Sequence, residues 1–152
     1  MDEREVRQAA RELVERVPIA MVGTVDEHGA PRVLAMGVAS HEGLREIWFS
    51  TNTSSDHVAH LRRDPRASVY FCQWAEEPWR GVTLGGRMKV LRDRASRERL
   101  WEDGCERFYP GGVDDPDYTV LRFVPEWGKY YQYGTKRRFE IRGEPSGDGG
   151  AS

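Results

Sequence analysis

The segment Trp48-Phe49-Ser50-Thr51-Asn52-Thr53-Ser54-Ser55-Asp56-His57-Val58-Ala59-His60-Leu61 gathers hydroxyl, amide and imidazole groups in one short run. Glu46-Ile47-Trp48-Phe49 is rich in strand formers, Ser54 and Ser55 are good N-cap residues, and Val58 and Leu61 fall three apart on one helical face. The spacing therefore predicts a strand, a hydroxyl-rich turn and a helix start. Amides in the first turn of a helix have no intrahelical partner and sit at the positive end of its dipole. Together with nearby hydroxyls they form a seat for an anion such as a phosphate. An ordinary capped helix produces the same pattern, so this stretch alone leaves the two readings evenly balanced.

Other residue types support less chemistry. His57 and His60 stand three apart on the expected helix, but no second ligand pair accompanies them, so no metal site is assigned. Asp114 and Asp115 lie beside Pro116 and behind Gly111-Gly112, which is the company of turn formers rather than of a catalytic carboxylate pair. Cys72 and Cys105 are far apart and lack the spacing of a redox pair; two free thiols are expected. No Ser-His-Asp or Cys-His arrangement emerges, and no catalytic residue is assigned. Basic and acidic side chains number 23 and 25, so no overall charge draws the chain to nucleic acid or an anionic membrane. Lys136-Arg137-Arg138 is too short a basic run to change that and reads as solvated. No apolar run reaches membrane-spanning length, and Met1-Asp2-Glu3-Arg4-Glu5 is acidic and helical rather than a signal peptide, so a cytoplasmic location is expected.

The elements that must position the hydroxyl turn can be read on either side of it. Val6, Ala10, Leu13, Val14 and Val17 recur at helical spacing from Asp2 until Pro18 closes the helix. Ile19 to Val25, a turn at Asp26-Glu27-His28-Gly29 and a return from Ala30 to Ala39 predict a hairpin, and a second turn at Ser40 to Gly43 leads to Arg45–Ser50 as a third meander strand. The helix after Ser54 should end at Asp64-Pro65. Arg66–Trp74 and Gly81–Leu91 follow as strands, the second bulged at Gly85-Gly86. A helix over 92–108, a fixed loop from Tyr109 to Tyr118, and strands at Thr119–Val124 and Tyr130–Tyr133 around a Pro125 to Gly128 turn complete a single domain over 1–134. Residues 135–152 read as a polar tail whose end, from Pro145, has no means of packing. The fold class is mainly β: an antiparallel, Greek-key-like barrel of six or seven strands with a few helices.

Order and content resemble the FMN-binding split-barrel family of pyridoxamine 5'-phosphate oxidase, in particular its general stress protein branch. The matching pieces are Ala20–Val25, Gly29-Ala30-Pro31, Trp48-Phe49-Ser50-Thr51 with Ser55 and His57, Leu61 to Val69 through Asp64-Pro65-Arg66, and Tyr109-Pro110-Gly111-Gly112 with Asp114-Asp115-Pro116. The resemblance implies a homodimer with FMN at its interfaces and a flavin-dependent oxidoreductase of unknown substrate. On that reading Ser50, Thr51, Ser54 and Ser55 surround the phosphate, Val33, Leu34 and Ala35 line the isoalloxazine, and Trp79 or Trp74 closes the site from the partner. The five tryptophans, six tyrosines and five phenylalanines suit such an interface. Family members usually carry lysine where His57 stands; pyridoxamine phosphate oxidases proper carry arginine where Asp56 stands and tend to carry arginine where Leu34 stands. Arg32, on the same strand face as Leu34, and His57, made cationic by an adjacent phosphate, are the substitutes available. The alternative is a dimeric module that has lost the phosphate cations and holds haem, deazaflavin or nothing.

Overall fold

The computed structural model describes residues 1–141. Asp2 starts the first helix, α1 (Glu3–Arg16), by accepting the Glu5 amide at 2.8 Å, and Val6, Ala9, Ala10, Leu13 and Val14 are its buried stripe. Eight strands follow with two further helices: β1 (Ile19–Val25), β2 (Pro31–Gly37), β3 (Ser40–Glu42), β4 (Glu46–Asn52), α2 (Asp56–Arg63), β5 (Arg66–Gln73), β6 (Arg80–Leu91), α3 (Arg94–Leu100), β7 (Tyr118–Gln132) and β8 (Thr135–Glu140). All pairings are antiparallel, in the order β2-β1-β5-β6-β7-β4-β3, with β8 added to the far half of β7. The sheet curls, and β2 comes to pack against β4 without a ladder between them.

The main core fills the concave side. Val22, Ile47, Phe49, Val69, Phe71, Leu84, Phe123 and Tyr130 meet the buried stripe of α1 there. A second, smaller core lies on the opposite face of β4 and β7, where Trp48, Tyr118 and Val120 pack under Leu100 of α3 and Tyr109. Successive residues of a strand point to opposite faces, so β4 contributes Ile47, Phe49 and Thr51 to one side and Trp48 and Ser50 to the other.

The mainly β, antiparallel class stands, with differences in detail. The three-strand meander does not form: β4 pairs with the short β3 and with the distant β7, not with β2. The two expected strands at the end are one, β7. Pro125 interrupts nothing because it lies opposite Gly86, where the ladder shifts register and no amide is required. Gly86 is needed there too, since a Cβ would collide with the Val124 carbonyl oxygen. The expected helix over 92–108 is shorter, because the chain turns extended at Trp101 and resumes only as a 3₁₀ turn at Cys105–Arg107. The domain also continues past its expected end at 134: β8 pairs with β7, and Phe139 and Ile141 are buried. The Phe139 ring occupies the space over Gly128 that any larger residue would fill. Lys136, Arg137 and Arg138 therefore belong to a strand, and the expectation for Pro145–Ser152 lies outside the described residues.

Candidate functional site

The hydroxyl turn is fixed from one side. Behind it, Asp117 accepts the Ser54 amide on Oδ1 at 2.9 Å and the Asn52 side-chain amide on Oδ2 at 2.7 Å, and its main-chain oxygen accepts the Thr53 amide at 2.8 Å. The Thr53 hydroxyl donates to the Pro116 carbonyl at 2.9 Å and is in contact with the Thr119 hydroxyl. These bonds hold the Asp117 carboxyl below the usual carboxylate range, the Asn52 side-chain amide first and the Ser54 amide next. The loop that supplies Asp117 is itself ordered as expected. Tyr109 and Tyr118 at its ends pack with ring centroids 4.8 Å apart, and Asp115 accepts the Gly111 and Asp117 amides at 2.8 and 2.9 Å. The Thr53 and Ser54 amides are thus committed within the protein.

The other side of the turn is open. A cavity of about 450 Å³ is bounded by Thr24 of β1, by Arg32, Val33 and Leu34 of β2, by Ser54 and Ser55, and by Asp56, His57 and His60 of α2. Ser55 is the N-cap of α2, yet its side chain makes no capping hydrogen bond. Ser54, Ser55 and the first two residues of α2, Asp56 and His57, therefore line this cavity together with Arg32, a combination that suits an anion. Arg32 reaches towards Asp26, 3.7 Å away, but its side chain is more than half exposed. Asp26 in turn accepts the His28 and Ala30 amides, each at 2.9 Å, which shape the β1–β2 turn.

Both histidines of α2 are buried against strand hydroxyls. His57 Nε2 lies 2.8 Å from Thr51 Oγ1, and His60 Nδ1 lies 3.0 Å from Thr24 Oγ1. Burial, seconded by the neighbouring His60, pushes the His57 imidazole below its ordinary pKa, and Asp56 offsets this only in part. The imidazolium expected beside a phosphate would thus have to form against this burial.

Of the residues singled out in the sequence, Arg32, Val33, Leu34, Ser54, Ser55 and His57 come together at the cavity. Arg32 and Leu34 do share a strand face, opposite Thr24 and Val22 on β1. Ala35 continues the other face of β2 with Val33. Thr51 is buried behind His57 rather than in the cavity, and Ser50, on the opposite face of β4, is turned to the Tyr109 hydroxyl. Strand alternation forbids Ser50 and Thr51 from offering their side chains to one ligand. Trp79 lies on the β5–β6 connection, where its ring meets Tyr131 at 4.8 Å and its Nε1 donates to Cys72 Sγ at 2.9 Å; it is no part of the cavity wall of its own chain. Both cysteines are free thiols. Sequence reasoning missed Asp117, which holds the turn from more than sixty residues away, and Thr24, which strand alternation within the predicted hairpin would have placed on the face of Arg32. Among the described residues, no cluster of three or more His, Cys, Asp or Glu is placed to hold a metal ion.

The family model described as pyridoxamine 5'-phosphate oxidase matches residues 6–132, from the first turn of α1 to the end of β7. The chain belongs to the pyridoxamine 5'-phosphate oxidase family. Within this family it is similar to a Clostridium acetobutylicum protein related to general stress protein 26 of B. subtilis, at 44% identity and a TM-score of 0.80, over 93% of this chain and 98% of that one. General stress protein 26 from Bacillus anthracis shares the fold at 14% identity and a TM-score of 0.73, over 90% and 99% of the two chains. A heme binding protein from Mycobacterium smegmatis shares it at 19% identity and a TM-score of 0.72, over 89% of this chain and 57% of that one. The curled antiparallel sheet is thus the split barrel of this family, in its general stress protein branch. A comparison with curated proteins finds no match. No helix among the described residues is long and apolar enough to cross a membrane.

Proposed function

We propose that this protein binds FMN as a homodimer and acts as a flavin-dependent oxidoreductase. One observation carries the proposal: Ser54, Ser55, the start of α2 and Arg32 line a single cavity whose rim is the apolar β2 residue Val33, 66% exposed. The polar end suits a phosphate, and the exposed rim suits a flat ring system. That rim continues across the sheet. Gly23 and Met21 of β1 lie opposite Val33 and Ala35, and Ile19 lies beyond them, so an exposed apolar strip runs along both strands. A second copy covering this strip would bury it and enclose the ring, which accounts for large apolar residues left open to water in a single chain. When bound, the flavin supplies hydride transfer at N5, while the protein supplies position and electrostatics.

Titrating the purified protein with FMN tests the reading. Flavin fluorescence should quench to saturation at one FMN per chain, and the protein should sediment as a dimer. Arg32→Ala should weaken FMN binding about tenfold or more, the loss expected of a cation beside a phosphate, while leaving riboflavin binding nearly unchanged. Flavin emission that stays unquenched with FMN in large excess would defeat the proposal. Asp56 in the cavity lining is the residue behind the alternative of a different ligand, so haem and a deazaflavin belong in the same titration; saturable binding of either, without FMN binding, would establish that reading instead.

A further inference from the structure

We infer that His57 makes entry of a phosphate monoester into this cavity a proton-coupled event, so that pH sets the preference for a phosphorylated over an unphosphorylated ligand. The inference rests on the reading of the cavity as a phosphate site. His57 is the second residue of α2 and lines the cavity beside Ser54 and Ser55, but its Nε2 is already engaged with Thr51 Oγ1 at 2.8 Å. A neutral imidazole has one N–H and one bare nitrogen, whereas the imidazolium has two N–H groups. The Thr51 hydroxyl can donate to Nε2 while the neutral ring keeps its N–H on Nδ1, so what protonation adds is not a donor alone but a positive charge on a ring that lines the cavity.

The surroundings balance the ring so that a ligand can tip it. On α2 itself, Asp56 favours the charged ring and His60 opposes it. Across the cavity, β2 offers Arg32, whose charge is shared with Asp26 of the β1–β2 turn. Thr24 of β1 and Thr51 of β4 bring hydroxyls and no charge. β6 also packs on α2, and its Arg87 acts on Asp64 at the opposite end of the helix. Without a ligand, burial holds the His57 imidazole below its ordinary pKa. A phosphate dianion beside the ring reverses the balance, because the charged form then gains an ion pair inside a partly desolvated site.

The experiment is calorimetric titration of FMN into the full-length protein, in pairs of buffers with different ionisation enthalpies, from about pH 6.5 to about pH 8.5. In the upper half of that range binding should take up close to one proton per FMN, and affinity should fall towards about tenfold per pH unit. Riboflavin, which has the same ring and no phosphate, should bind with no proton uptake and a flat profile. His57→Lys carries its charge throughout, so FMN should bind it without proton uptake; uptake that persists would belong to the phosphate itself and overturn the inference. His57→Gln covers the event that the lysine variant folds poorly: FMN should bind it at every pH with the weak affinity that the native protein shows at alkaline pH. FMN binding to the native protein with a flat profile and no proton uptake would overturn the inference while leaving the FMN reading intact. Failure of FMN to bind either the native protein or His57→Lys at any pH would remove both.

Discussion

The turn between β4 and α2 has two sides, and the molecule treats them oppositely. Towards the loop that ends at Tyr118, the amides of Thr53 and Ser54 and the side chain of Asn52 are all bonded to Asp117. Towards β2, Ser54 and Ser55 border an open cavity, and the cap of α2 lacks its usual side-chain bond. The closed side supplies rigidity and the open side supplies free donors. A site built this way does not have to be ordered by its ligand, which saves the entropy that ordering would cost. Substitutions behind the turn should therefore cost mainly stability, and substitutions in front of it mainly binding.

The largest stability loss should come from the closed side. Tyr118 is 1% exposed, packs against Tyr109 and Trp101, and donates to the Arg97 carbonyl at 2.8 Å. Tyr118→Ala should cost about 3–5 kcal/mol, as truncation of other large buried aromatic residues does. Chemical denaturation measures this; a cost below about 1 kcal/mol would mean that the small core does not support the loop. Thr51→Val comes next. It keeps the shape of a buried side chain but leaves His57 Nε2 without its partner, so about 1–3 kcal/mol should be lost, and Thr51→Ser should restore most of it.

Asp117→Asn addresses the closed side through pH. A carboxyl held below its ordinary pKa in the folded state stabilises the protein above the ordinary carboxylate range, and that contribution is lost as pH falls through the lowered folded value. The native protein should therefore lose stability on acidification more steeply than Asp117→Asn does, compared by thermal melts across the acid range. Identical slopes would mean that Asp117 is not the clamp. FMN binding at neutral pH should weaken about tenfold in the variant, because the turn loses a charged acceptor for the Ser54 amide.

How much of this was legible in the sequence depends on how local the cause is. The bounds of β1, the helix α1 closed before Pro18, the stop of α2 before Pro65 and the bulge at Gly85-Gly86 follow from neighbouring residues, and all appear in the structure. The hydroxyl turn and its helix were legible for the same reason. What could not be read was set by distant partners. Pro125 and Gly128 look like breakers until Gly86 and Phe139 are seen opposite them. Thr135–Glu140 looks like a tail because Phe139 is its one large apolar side chain, and only the edge of β7 makes it a strand. The same holds at the site. The hydroxyls could be listed from the sequence, but which of them face the cavity was decided by the parity of β4 and by Asp117. Hence Ser50 and Thr51, adjacent in the chain, part company in the fold.

The smallest stability effect, and the sharpest division between the two sides, belongs to Ser55. An N-cap serine that bonds the helix amides usually contributes about 0.5–2 kcal/mol. Ser55 holds the cap position by backbone conformation, with φ −69° and ψ 146°, and its hydroxyl makes no such bond. Ser55→Ala should therefore change stability by less than about 0.5 kcal/mol. The same substitution removes a hydroxyl from the cavity, so FMN binding should weaken by about three- to tenfold, the worth of one hydrogen bond to a charged group at a partly open site. Riboflavin binding should not change. A variant that loses a full cap's worth of stability and binds FMN as before would place the hydroxyl in the helix and not in the site, and the open side of the turn would then be open only in appearance.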